Sequence, residues 1–275
     1  AHAQPGTEVL FEELAHMYNW ECGNYATIAG LAARAVRGEN GVVTPEQVEG
    51  ALRPANVHYP ETRLVCIENS HNNCAGAAWS VEQVAAVSRV CRERGLPLHV
   101  DGARIFNAAV AVGVDVREYT RHVDSVMFCV SKGLSAPVGS LLCGSRAFID
   151  RALQMRKRLG GAMRQAGIIA AAGIVALEQM VERLAEDHEN ARLLAAKLAD
   201  AGGFTVDLDS VQSNIVMIGL ARADLTAPQV VAALAAQGVL VSVMDPTRIR
   251  AVTHYGITRE DIERVVQTAR GVMKE

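Results

Sequence analysis

The sequence predicts an α/β protein built on a mainly parallel sheet, and two observations support this. Short apolar runs of strand length alternate with helical segments over most of the chain. Four helix starts carry a hydroxyl side chain followed three residues later by a side chain that can reach back to the backbone, as in a capping box. These starts are Thr44-Pro-Glu-Gln47, Ser80-Val-Glu-Gln83, Thr226-Ala-Pro-Gln229 and Thr258-Arg-Glu-Asp261. Strands that alternate with helices are typical of parallel sheets.

Seven apolar runs are the predicted strands, in the order RLVCIEN (63–69), LPLHVD (96–101), DSVMFCV (124–130), GSLLCG (139–144), SNIVMIGL (213–220), VLVSVM (239–244) and IRAVTH (249–254). A long helical region is predicted from about Ser145 to Ala201, with an interruption near Gly160-Gly161. Beyond it the elements become shorter. The pattern therefore predicts a large domain over residues 1–184 and a smaller C-terminal domain over residues 185–275.

The composition is that of a globular protein with a substantial core. Half of the 275 residues are hydrophobic, 21% are charged, and the net charge of -3 gives no reason to expect a nucleic-acid partner. The longest uncharged apolar run, 166–177, is shorter than the roughly 20 residues that span a bilayer, so we expect a tightly packed core helix and no membrane partner.

The six cysteines form no CxxC pair and show no zinc-ligand spacing, so no metal site is expected. Free thiols and the lack of a signal peptide favour a reduced, cytoplasmic protein.

An acid and an amine follow two of the predicted strands. The run LPLHVD ends on Asp101, and Lys132 comes just after DSVMFCV, one crossover later. Ligands bind at the carboxyl edge of an open parallel sheet, where Glu68-Asn69 should also lie. Alone, Asp101 could cap the next helix and Lys132 could lie in a solvated loop. Together they suit pyridoxal phosphate, which needs a lysine for its Schiff base and an acid for its pyridinium nitrogen.

Longer motifs carry a family resemblance. HVDGARIFNA followed by SKGLSAPVGSLLCGS resembles the low-specificity L-threonine aldolase and β-eliminating lyase family, of the aspartate-aminotransferase fold type. Further similar segments, spread over essentially the whole chain, are AHAQPGTEVLFEELAH (1–16), ENSHN (68–72), GGAMRQAGIIAAAG (160–173) and RAVTH (250–254). The resemblance implies a three-layer large domain like that of pyridoxal-phosphate-dependent transferases, a smaller C-terminal α/β domain, and pyridoxal 5'-phosphate as cofactor.

The resemblance also implies roles for the residues that match the family. Lys132 would form the Schiff base, and Asp101 would pair with the pyridinium nitrogen. His16 would stack on the cofactor ring and take part in proton transfer. Arg164 would reach the cofactor phosphate, across a subunit interface. The family has a further N-terminal segment whose turn binds that phosphate; this sequence begins after it, so we expect the phosphate to be held weakly here.

The substrate side of the site is implied in the same way. Arg104 would lie in the cofactor cleft and bind the substrate carboxylate together with Arg250, because forked guanidinium groups suit bidentate carboxylate binding. Arg248 competes with Arg250 for that role. His58 would contact the substrate hydroxyl group, whose proton must leave.

The activity implied is cleavage of L-threonine or L-allo-threonine to glycine and an aldehyde. The amino acid would be bound by a homo-oligomer, a dimer or a homotetramer, with active sites between subunits. Two alternatives stay open. One is another pyridoxal-phosphate enzyme of the same scaffold, such as a β-eliminating lyase, a phenylserine aldolase or an amino-acid racemase. The other is a truncated fragment without activity.

Overall fold

The computed structural model describes residues 1–274 and confirms the α/β class. The chain divides into two compact units. The first comprises Ala1–Cys74 and Ala78–Val181, and the second begins at Glu182 and also takes in Ala75–Ala77.

The first unit is built on a six-stranded sheet of β1 (Glu8–Glu12), β2 (Ala32–Val36), β3 (Thr62–Glu68), β4 (Leu98–Asp101), β5 (Ser125–Cys129) and β6 (Ser140–Gly144). The strand order is β2-β1-β3-β4-β5-β6, and all neighbours are parallel except β5 and β6. Its helices are α1 (His16–Asn19), α2 (Asn24–Thr27), α3 (Pro45–Ala51), α4 (Val81–Glu93), α5 (Ile105–Val112), α6 (Val116–Thr120), α7 (Arg146–Arg158) and α8 (Gly167–Gln179).

The second unit contains a smaller antiparallel sheet in the order β7-β8-β10-β9. Its elements are α9 (Leu184–Ala199), β7 (Phe204–Thr205), β8 (Ile215–Leu220), α10 (Ala227–Ala236), β9 (Ser242–Asp245), β10 (Arg248–Val252) and α11 (Arg259–Val272). Buried apolar side chains from the three helices pack with those of the sheet in one core cluster.

Most predicted elements are confirmed. Each of the seven predicted runs overlaps a strand, and α3, α4, α10 and α11 begin directly after the four predicted capping residues. The capping box is complete at Thr44, Ser80 and Thr258, and at Thr226 the Gln229 side chain accepts from the Thr226 N–H at 2.9 Å. For example, the Ser80 hydroxyl accepts from the Gln83 N–H, while Gln83 Oε1 accepts from the Ser80 N–H at 2.7 Å.

Three details differ from the sequence expectation. The strands β1, β2 and β7 were not predicted. The strand β6 runs antiparallel to β5, because the short connection over residues 130–139 holds no crossover helix. The long helical region breaks after Arg158, as the interruption near Gly160-Gly161 predicts, and also a second time, between Gln179 and Leu184.

The apolar run at 166–177 was predicted to be a core helix, and this is wrong for the single chain. It forms α8, in which Ala176 is the one buried residue. Ile168, Ile174 and Val175 are all exposed, Ile168 to 84%. A helix that is apolar on all sides normally has its surface covered. Within residues 1–274, no helix combines the length and apolar character needed to cross a membrane.

Candidate active site

The site is built at the carboxyl edge of the parallel sheet. Glu68 and Asp101, the last residues of β3 and β4, lie opposite each other in the ladder, and Asp101 lies opposite Met127 of β5. The ladder continues past the strand ends, because the Asn69 N–H donates to the Asp101 carbonyl at 2.9 Å. The Gly102 N–H in turn donates to the Met127 carbonyl at 2.8 Å. The edge is therefore held by backbone hydrogen bonds on both sides of Asp101.

The Asp101 carboxyl group does not cap a helix. Its Oδ1 accepts from the Ala103 N–H at 3.0 Å, whereas α5 begins later, with Arg104 in the N-cap position. The residue is 5% exposed. Gly102 allows the chain to turn away beside it, because a Cβ there would lie 2.8 Å from the Met127 carbonyl oxygen.

Lys132 lies on a tight loop directly after β5. The loop is folded by backbone hydrogen bonds from Val130 N–H to the Gly139 carbonyl at 3.1 Å and from Ala136 N–H to the Val130 carbonyl at 2.9 Å. The Lys132 carbonyl itself accepts from the Ser135 N–H at 3.0 Å. The lysine is exposed. An accessible amine thus follows the strand next to the one that ends on Asp101.

His16 begins α1 at the same edge of the sheet. Its backbone N–H donates to Glu68 Oε2 at 2.7 Å, and its Nε2 lies 2.7 Å from Glu21 Oε1. The ring is nearly parallel to that of Trp20, with centroids 6.3 Å apart and an interplanar angle of 22°. The His16 side chain is 33% exposed.

Arg104 joins these residues through the loop that follows β3. Its guanidinium donates to Asn72 Oδ1 at 3.2 Å, and the Asn72 N–H donates to Glu68 Oε1 at 2.8 Å. Of the predicted site residues, the structure therefore gathers Asp101, Lys132, His16 and Arg104 at one edge of the sheet.

His58 is not among them. It lies in the exposed loop that precedes β3, at the opposite, amino edge of the parallel strands. Its neighbour Tyr59 lies under the Arg53 guanidinium, which pairs with Glu8 at the start of β1 with a 2.9 Å contact. Arg164 is exposed as well, in the loop between α7 and α8.

The two competing arginines of the second unit differ in their partners. Arg248 is held by Asp245, with its Nε 2.5 Å from Asp245 Oδ2. Arg250 lies in the middle of β10, opposite Met217 on one side and Ser242 on the other. The Arg248 charge is therefore already paired with a carboxylate of its own unit.

A buried network beneath the edge was missed by the sequence reasoning. His71 Nε2 lies 2.9 Å from Glu12 Oε2 and 3.7 Å from Glu68 Oε2, and all three side chains are buried. Burial lowers the pKa of His71, but Cys74, Glu12 and Glu68 outweigh this and raise it to about 10. The pKa of the Glu68 carboxyl group is raised, mainly by burial. The nearby His71 lowers this pKa, and the Asp101 carboxyl group raises it. One feature of the sequence could have indicated this network: the apolar runs EVLFE and RLVCIE each end on a glutamate, Glu12 and Glu68.

The donor set fits pyridoxal phosphate better than a metal ion. A buried carboxyl group and an accessible lysine stand at neighbouring strand ends, as the cofactor's ring nitrogen and carbonyl carbon require. Residues 1–274 contain no group of three or more His, Cys, Asp or Glu side chains that could hold a metal ion.

The fold and the site define a pyridoxal-phosphate-dependent enzyme. The chain belongs to the beta-eliminating lyase family, which matches residues 1–221. It is 40% identical to low-specificity L-threonine aldolase 1 of Arabidopsis thaliana, over 94% of this chain and 73% of the relative. It is 38% identical to the low specificity L-threonine aldolase of Escherichia coli strain K12, over 96% of this chain and 77% of the relative.

A solved structure agrees on the fold. The Leishmania major threonine aldolase superposes with a TM-score of 0.81 at 20% identity, covering 98% of this chain and 79% of the other. The chain thus spans about three quarters of the length of these relatives, and it is a pyridoxal-phosphate-dependent lyase.

Proposed function

We propose that this protein is a low-specificity L-threonine aldolase, which cleaves L-threonine or L-allo-threonine to glycine and acetaldehyde. The observation that carries the proposal is the placement of Asp101 and Lys132 at the ends of neighbouring parallel strands, in a chain whose curated relatives are threonine aldolases. The reaction breaks the bond between Cα and Cβ and moves one proton from the hydroxyl group to Cα.

When bound, pyridoxal phosphate supplies an electron sink for the pair left on Cα. The Asp101 carboxylate is proposed to keep a proton on the ring nitrogen, and its buried position strengthens that interaction. Lys132 is proposed to hold the cofactor through its Nζ and to return a proton to Cα. Its loop leaves the amine accessible for both tasks.

The other residues at the edge bind and orient the substrate. The Arg104 guanidinium is proposed to bind the carboxylate, which fixes the direction in which the breaking bond points. His16 is proposed to cover the ring face and to accept the hydroxyl proton, directly or through a water molecule, with Glu21 stabilising the charged imidazole.

Three further residues enter the proposal from the family resemblance. Arg250 would be the second carboxylate ligand, and Arg164 would contact the cofactor phosphate. His58 would contact the substrate hydroxyl group. Because His58 lies at the amino edge of its own sheet, we propose that it acts in the active site of a second copy of the chain.

A homo-oligomer, a dimer or a tetramer, is part of the same proposal. The apolar exposed surface of α8 supports it, since a second copy would cover Ile168, Ile174 and Val175. A cytoplasmic location is also proposed. The six cysteines are all free thiols, as expected in a reducing compartment.

The proposal is tested by product analysis with the purified chain and added pyridoxal phosphate. L-Threonine should yield equal amounts of glycine and acetaldehyde, and Lys132→Ala should abolish both products. Lys157→Ala is the matched control, because Lys157 is an exposed lysine on α7 and does not follow a strand of the parallel sheet.

Other products would replace the proposal with a defined alternative. A 2-oxo acid and ammonia would make the protein a β-eliminating lyase. Conversion to D-threonine would make it a racemase, and cleavage of phenylserine alone would make it a phenylserine aldolase. If the absorbance spectrum shows no bound cofactor when pyridoxal phosphate is saturating, the proposed catalytic activity is wrong.

A further inference from the structure

We infer that Glu68 is a positioning residue whose single carboxylate sets the places of both His16 and Arg104. The inference rests on the proposed function, which gives those two residues their tasks. It concerns a residue that touches neither the substrate nor the cofactor in that proposal. Glu68 is the last residue of β3 and lies directly opposite Asp101 in the sheet.

Each oxygen of the carboxylate accepts from a different segment of the chain. Oε2 accepts from the His16 N–H at 2.7 Å, and Oε1 accepts from the Asn72 N–H at 2.8 Å. Residue 68 is 3% exposed, so these bonds lie in a region from which water is largely absent. Hydrogen bonds to a buried charged acceptor are among the stronger ones. Glu68 therefore fixes the first residue of α1 and the loop after β3 together.

The loop after β3 connects Glu68 to Arg104. Asn72 receives its backbone position from Glu68, and its side-chain Oδ1 accepts from the Arg104 guanidinium at 3.2 Å. A second contact joins the two segments, because the Asn73 side chain donates to the Leu14 carbonyl at 2.8 Å. Glu68 thus supports both His16, which is proposed to cover the cofactor ring, and Arg104, which is proposed to bind the substrate carboxylate.

The neighbouring network explains how a buried carboxylate is tolerated there. His71 lies between Glu68 and Glu12, 3.7 Å from the first and 2.9 Å from the second. Glu12 also accepts from a backbone N–H, that of Leu14 at 2.7 Å, but no bond joins it to His16 or Asn72 in this network. Glu12 is therefore a matched control: it has equal burial and the same histidine partner, but different backbone donors.

Amide hydrogen exchange tests the support without any activity measurement. In Glu68→Gln the amide group can accept at one oxygen only, so one of the two backbone N–H groups loses its acceptor. We expect exchange at His16, at Asn72 or at both to quicken at least about tenfold, the equivalent of about 1.4 kcal/mol. In Glu12→Gln both sites should exchange as in the unchanged protein. If the His16 and Asn72 amides of Glu68→Gln exchange as slowly as those of the unchanged protein, the inference is wrong.

Steady-state kinetics of the holoenzyme separate positioning from general destabilisation. Glu68→Gln should raise KM for L-threonine about tenfold and also lower kcat, because the arginine and the histidine are both displaced. Asn72→Ala keeps Glu68 and its buried partners. It removes the acceptor for Arg104 together with the 3.3 Å hydrogen bond that Asn72 Nδ2 donates to Asn73 Oδ1. It should raise KM about tenfold while kcat changes by less than about twofold.

The outcomes distinguish this inference from the proposed function. If the unchanged protein cleaves L-threonine and Glu68→Gln has kinetics like those of Glu12→Gln, the positioning role is wrong and the aldolase activity stands. If the unchanged protein cleaves no L-threonine, the proposed function fails, and the exchange experiment still decides whether Glu68 holds both segments. A normal KM in Asn72→Ala would overturn the link from Glu68 to Arg104.

Discussion

Asp101, the last residue of β4, and Lys132, three residues beyond the last residue of β5, lie after neighbouring parallel strands at one edge of the sheet. Two backbone hydrogen bonds, from the Asn69 N–H to the Asp101 carbonyl and from the Gly102 N–H to the Met127 carbonyl, stabilise this edge. The arrangement gives the chain an acid that is shielded from water and an amine that is accessible.

Asp101→Ala should keep some cofactor but lose most of its cleavage of threonine. In its proposed role the carboxylate stabilises charge that develops during the reaction, and loss of such a group typically lowers kcat about 100- to 1000-fold. Asp150→Ala, on the exposed face of α7, is the control and should retain full turnover. Near-normal turnover of Asp101→Ala would contradict the role of Asp101.

Arg104→Ala and Arg250→Ala should each weaken amino-acid binding but leave cofactor retention unchanged. Loss of one partner of a hydrogen-bonded charge pair should cost roughly 2–5 kcal/mol. Arg248→Ala should bind glycine normally, because Asp245 already pairs with that guanidinium. Calorimetric titration with glycine measures all three variants, and a larger effect from Arg248 than from Arg250 would reverse the assignment.

The stability of the protein should fall between neutral and alkaline pH, in part because of His71. Its pKa is raised from 6.5 to about 10 in the folded protein by Cys74, Glu12 and Glu68, which together outweigh the lowering effect of burial. The protonated ring therefore stabilises the fold fully below pH 6.5, and this contribution is lost as the pH rises towards 10.

Urea denaturation at several pH values measures this effect. The free energy of unfolding of His71→Gln should depend less on pH between 7 and 10 than that of the unchanged protein. His58→Gln, in an exposed loop, should follow the unchanged protein. Identical pH slopes for all three proteins would show that His71 does not bind its proton more tightly in the folded state.

Polar substitutions on α8 should weaken self-association. Ile168→Ser and Ile174→Ser remove apolar groups from the exposed face of that helix, and light scattering should show a smaller average mass for the double variant. Leu240→Ser, at an 84% exposed position of the second unit shortly before β9, is the control. A stable and active monomer of the unchanged protein would contradict the proposed oligomer.

The sequence was sufficient to predict much of the sheet and its edge. Strand ends could be located because apolar runs stop at Asp101 and shortly before Lys132, and helix starts could be located because Thr44 and Ser80 carry capping boxes. Parallel strands then required Asp101 and Lys132 to lie at one edge. The alternative of a helix-capping Asp101 could be decided only by the structure, in which Arg104 takes the N-cap position.

Other features depend on contacts that are distant in sequence. The strand β1 was missed because its apolar run is only three residues long between glutamates, yet it lies between β2 and β3 and is buried throughout. The charge network needs Glu12 and His71, which are far apart in the chain and were not connected by any pattern. The exposure of α8 could not be predicted either, because the sequence pattern of an apolar helix is the same whether the helix packs within one chain or between two chains.

The most direct test of the account is the site at which the cofactor attaches. The protein is saturated with pyridoxal phosphate, reduced with borohydride and digested, and the peptide that carries the pyridoxyl group is identified by mass spectrometry. We expect a single modified residue, Lys132, and no adduct in Lys132→Ala. A stoichiometric adduct on Lys157 or on Lys197, which pairs with Glu263 at 2.9 Å, or no adduct at all, would contradict it.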